Sequence, residues 1–103
     1  MSVYIASRGD VSVECDMAYT KFKDEEGYYV PCEIRGAPDV ECVARGLGLA
    51  PGECASSDVV ILCKRPGGLA AKIRVNKAVE RGVTPGEIVK QLLLLADFCI
   101  KTT

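Results

Sequence analysis

Apolar residues in the C-terminal part of the chain recur with the period of an α-helix. Ile88, Leu92, Leu95 and Cys99 fall on one stripe, and Val89, Leu93, Ala96 and Ile100 widen it to an arc of roughly 160° at ~100° per residue. Ahead of them, Thr84-Pro85-Gly86-Glu87 has the form of a helix start. Thr84 caps, Pro85 takes the first helical position, where its missing amide has no partner to lose, and Glu87 closes a capping box. A helix this apolar must lie against something, and the preceding patterns predict the sheet it covers.

Val3–Ser7 is a short β-rich run, and Arg8-Gly9-Asp10 reads as a tight turn rather than an adhesion signal. Val11, Val13, Cys15, Met17 and Tyr19 then alternate with Ser12, Glu14 and Asp16, the pattern of a half-buried strand. Asp24-Glu25-Glu26-Gly27 is a hairpin loop, and Tyr28–Arg35 returns with Tyr28, Val30, Cys32 and Ile34 on one face. Pro31 removes a ladder donor, which predicts an edge position or a bulge. Val40, Val43, Ala44 and Leu47 place a short helix over Asp39–Leu47, followed by a loop over Ala50–Ser57. The unbroken run Val59–Lys64 predicts a central strand buried on both faces. After a turn at Pro66-Gly67-Gly68, Leu69–Val75 returns with Leu69, Ala71, Ile73 and Val75 inward. Asn76 caps a single helical turn through Glu80, and Gly82 stops it before the last helix.

The predicted order is β-β-β-α-β-β-α. The expected fold is a single α+β domain over residues 1–103: two layers, an antiparallel sheet of about five strands with the long C-terminal helix packed on one face.

Composition changes this picture in two places. The chain has six cysteines, while Met1-Ser2-Val3-Tyr4 lacks the basic start and apolar core of an export signal. Thermolabile residues other than cysteine are scarce, with Asn76 and Gln91 alone of their kinds. The cytosol of hyperthermophiles tolerates disulfides, and its proteins are depleted in Asn and Gln. The sequence is therefore read as a cytoplasmic protein of a hyperthermophilic archaeon or one of its viruses, with no membrane partner. Charge is the second place. Residues 1–58 carry eleven acids against five bases, a net −6, and residues 59–103 carry eight bases against three acids, a net +5. Such a split serves either an internal charge match or a polar binding face.

The cysteines carry no recognisable chemistry. They are separated by 17, 10, 12, 9 and 36 positions, with no Cys-x-x-Cys pair and no histidine in the chain, so neither a zinc site nor a thioredoxin-like motif is expected. Cys63 beside Lys64 and Arg65 is the best-placed nucleophile, yet Val60, Ile61 and Leu62 mark it as core. Buried thiols and disulfides are the expectation. If Lys23 faces Tyr28 across the hairpin, Cys15 faces Gly36, four positions from Cys32, which disfavours a Cys15–Cys32 bridge. Cys42–Cys54, bracketing the helix end and the loop, is the expected pair, with a loop-closure contribution of about 3 kcal/mol. No paired carboxylates or phosphate loop emerge, so no catalytic residue, cofactor or metal is assigned.

Two features stand out. The hairpin 64–77 carries Lys64, Arg65, Lys72, Arg74 and Lys77 and no acid, a ribbon suited to tracking a nucleic-acid backbone, although without aromatic residues for base stacking. On the last helix, Leu94 and Phe98 lie one turn apart among Glu87, Lys90, Gln91, Asp97 and Lys101, which predicts a partner surface, most simply a symmetric homodimer. The alternative for these two is cover by the 46–57 loop or the N-terminal strand. The leading functional expectation is a non-catalytic interaction module that self-associates through this helix. Nucleic-acid binding by the hairpin and thiol-dependent redox chemistry are the alternatives.

Overall fold

Short turns fold the strands back on one another, each built from residues that the turn requires. In the computed structural model, which describes residues 3–18, 20–36 and 39–100, β1 (Val3–Arg8) pairs with β2 (Val11–Asp16) across Gly9-Asp10. β3 (Lys23–Asp24) pairs with β4 (Gly27–Arg35) across Glu25-Glu26, where the Asp24 carboxylate accepts from the Glu26 amide at 2.9 Å. The chain then forms α1 (Asp39–Gly46), the short β5 (Cys54–Ser56), and β6 (Val60–Arg65). β6 pairs with β7 (Gly68–Arg74) across Pro66-Gly67. Gly67 has φ 74°, the left-handed second position that follows proline in a type II turn. α2 (Val75–Glu80) and α3 (Pro85–Ile100) complete the chain, and the Glu87 amide donates to Thr84 Oγ1 at 3.2 Å, as a capping threonine requires.

The sheet order is β1-β2-β4-β7-β6-β5, antiparallel throughout, with β3 attached to β4. The domain is therefore α+β with an antiparallel sheet, but of seven strands rather than about five. The two additional strands, β3 and β5, have two and three residues, too few to register as an alternating pattern. β4, the strand with Pro31, lies at the centre of the sheet, not at its edge. The proline is tolerated because the pairing of β4 with β2 stops at Cys15–Cys32, one residue short of it, so it sits at a local edge. β6 is second from the other edge and alternates in burial instead of being buried on both faces.

Val13, Cys15, Val30, Ile73, Leu69 and Leu62 point from four strands to one face, where they meet Val40 and Ala44 of α1 and Ile88, Val89 and Leu93 of α3. α3 lies over β1 and β2 and against α1. Arg8 on β1 is ion-paired to Asp97 on α3, which ties the edge strand to the helix layer. No helix among the described residues is long and apolar enough to cross a membrane.

All six cysteines are in disulfides, but not in the expected pairs. Cys15 is bonded to Cys32, with Cα atoms 4.1 Å apart. The hairpin register Lys23–Tyr28 is as expected, yet β2 meets β4 four residues out of phase with it. The segment between β2 and β3 absorbs the difference by turning on itself: Asp16 captures the Ala18 amide, and the Lys21 amide donates to the Ala18 carbonyl, both at 3.0 Å. The register of the β3–β4 hairpin therefore does not carry through this segment to the pairing of β2 with β4. Cys42 pairs with Cys99, not with Cys54, because α1 packs against α3; Cys54 pairs with Cys63, directly opposite on β6.

The three bridges differ in access. Cys15, Cys32 and Cys99 are buried, whereas Cys54 is exposed on a three-residue edge strand. Limited treatment with a water-soluble phosphine is expected to open Cys54–Cys63 first. Differential alkylation and peptide mapping check this; early labelling of Cys15 or Cys99 would contradict it.

Candidate interaction surfaces

The register of the sheet also decides what faces away from the helices. Along one row, Ile5, Glu14, Glu33, Ala70, Cys63 and Cys54 are cross-strand neighbours; along the next, Pro31, Lys72 and Ile61. Ala70, Pro31 and the Cys54–Cys63 bridge are short, while the residues around them are long. The result is an open hollow of about 670 Å³ over the centre of the outer face. Glu14, Asp16 and Glu33 wall it on the side of β2 and β4, and Lys72 and Arg65 on the side of β7 and β6. Glu14 and Glu33 are directly opposed like charges, an arrangement that costs stability unless something answers it. Glu33 is answered by Arg35 and Asp16 by Lys21.

The basic hairpin is not a free ribbon of cations. Lys64 points to the helix side of the sheet and is buried, its ammonium donating to Glu41 at 2.9 Å and to the Arg65 carbonyl at 2.7 Å. Lys72 donates to Asp24 at 3.0 Å and lies over the Tyr29 ring, 4.4 Å from its centroid. Arg74 is paired with Asp24 and Glu26, and Lys77 with Glu80. Of the five hairpin cations only Arg65, exposed at the rim of the hollow, makes no ion pair among the described residues. The acidic tip of the first hairpin has folded over the basic strand, so the charge split of the sequence closes largely as an internal match.

That match also acts on the acidity of Asp24. The hydrogen bond from Lys72 holds the Asp24 carboxyl below its ordinary value, helped by the Glu26 amide and the charges of Lys72 and Arg74. A carboxyl with a depressed folded-state pKa stabilises the fold fully above its unfolded value, and the contribution is lost as pH falls through the folded one. Asp24→Asn should therefore melt below the wild type at neutral pH, with the gap closing as pH drops beneath the depressed value. Thermal melts across pH check this, and a gap that persists in strong acid would contradict it.

On α3, Val89 is fully buried, and Leu94, on the opposite side of the helix, is 55% exposed. Glu87, Lys90 and Gln91 are exposed on the same side, so the helical phase read from the sequence holds at these positions. Cover of Leu94 by the 46–57 loop or by β1 is excluded by its exposure. The side chain of Phe98 lies outside the described residues. The hollow was not legible in the sequence, because it exists only once Ala70 and Pro31 are set beside long neighbours by the register. Its one available signal was a small residue, Ala70, among the outward positions of a basic strand. Among the described residues, no three His, Cys, Asp or Glu side chains gather as a metal site would. No family model, curated protein or solved structure matches the chain.

Proposed function

We propose that the protein is a small non-catalytic interaction module that self-associates through the solvent face of α3, the smallest product being a homodimer. The observation that carries this reading is Leu94, a large apolar side chain 55% exposed on the same side of α3 as the exposed Glu87, Lys90 and Gln91. The other two readings have less support. A phosphate backbone would have to displace Asp24, Glu26, Glu41 and Glu80 from the hairpin cations. Thiol chemistry has no free cysteine to begin from. Three disulfides fit an oxidising compartment or a hyperthermophile cytosol, and the single Asn and single Gln favour the latter. Light scattering over a wide concentration range tests the proposal. A mass above the 11.0 kDa of one chain that rises with concentration is expected, and a single-chain mass throughout would overturn it.

A further inference from the structure

We infer that the hollow on the outer face of the sheet receives the solvent face of α3 from a second copy, so that copies stack head to tail. This rests on self-association through α3 and names the surface that α3 meets. Three observations converge on it. The first is shape: Leu94 is a knob on a convex helix, and the hollow is open with a short-chained floor at Ala70 and Pro31. Two sheet faces brought together would enclose two hollows and leave a void that close-packed interfaces do not keep. Two α3 faces brought together would leave the hollow bare.

The second is charge. The hollow has an acidic wall, with Glu14 and with Glu33 paired to Arg35, and a basic wall, with Arg65 and with Lys72 paired to Asp24. The helix face is polarised in the same way across its width. At ~100° per residue, Lys90 stands on one flank of Leu94, together with Asp97, whose charge is met by Arg8, and Glu87 and Gln91 stand on the other. Lys90 toward Glu14 and Glu87 toward Arg65 is the match, and it sets one direction for the helix in the hollow. Glu14 and Arg65 make no ion pair among the described residues, so both are available for it.

The third is placement. α3 lies on one side of the sheet and the hollow on the other, so a copy seated in the hollow presents its own hollow to the next. A heterologous contact of this kind propagates unless the rotation closes a ring.

Complementation tests the arrangement. Leu94→Glu removes the knob and keeps the hollow. Ala70→Arg fills the hollow, beside Glu33, and keeps the knob; Arg65→Glu, at an exposed position, is the second hollow variant. The wild type should assemble past the dimer, and Leu94→Glu and either hollow variant should each stay at single-chain mass. An equimolar mixture of Leu94→Glu with a hollow variant should form a one-to-one pair and nothing larger, as read by sedimentation velocity. Assembly of both hollow variants like the wild type, with Leu94→Glu monomeric, would overturn the stacking and leave self-association through α3 standing. Failure of the two variant types to pair when mixed would also overturn it. A monomeric wild type would overturn the α3 reading and the stacking together.

Discussion

Replacing Cys42 and Cys99 together with alanine is expected to lower the stability of the oxidised protein by about 4 kcal/mol. The two residues are 57 positions apart, the longest loop closed by any of the three bridges. Loop-closure entropy grows with the logarithm of loop length, so this bridge restricts the unfolded chain most. It also joins α1 to the last turn of α3. For a domain of this size the melting temperature should fall by roughly 15–30 °C. Denaturant melts of variant and wild type, both with the other four cysteines oxidised, provide the check. A loss below about 1 kcal/mol would show that the unfolded chain is not the state this bridge acts on.

The double change Leu94→Glu, Phe98→Glu is expected to give a folded monomer. Burying a Leu or Phe side chain is worth roughly 1.5–3 kcal/mol, so each one removed from a contact weakens it by roughly ten- to 150-fold. Glutamate adds the cost of burying a charge, which takes the contact beyond any working concentration. The core side of α3, with Ile88, Val89, Leu93 and Cys99 buried, is not altered at either position. Light scattering alongside a thermal melt reads both halves of the expectation. An unfolded variant would place these residues in the core, and an associated variant would place the contact elsewhere.

Several local patterns are as read, although Asn76 lies within α2, whose N-cap is Arg74, and β6 alternates in burial. The capping threonine of α3, the burial of Val89 against the exposure of Leu94, the Pro66-Gly67 turn and the inward set Leu69, Ala71 and Ile73 all follow from residues within one or two turns of each other. What escaped depends on pairing across distance. The six residues between Asp16 and Lys23 carry no signal for the loop that resets the register, and with the register went the Cys15–Cys32 bridge. Cys42–Cys99 needed the packing of α1 on α3, which no spacing encodes. Lys64 shows the same limit at one residue. In the sequence it is one more cation of a basic hairpin, but on β6 it alternates with the outward Cys63 and Arg65, and so it turns toward α1 and Glu41. The hollow is legible only from the cross-strand rows that bring Glu33 beside Ala70 and Pro31 beside Lys72.

The most direct measurement is an isotope-filtered NOE experiment on an equimolar mixture of labelled and unlabelled protein, at a concentration where light scattering shows association. Cross-copy contacts to the Leu94 methyl groups are the expected result. Their absence from an associated sample, with cross-copy contacts found at other methyl groups, would contradict self-association through α3.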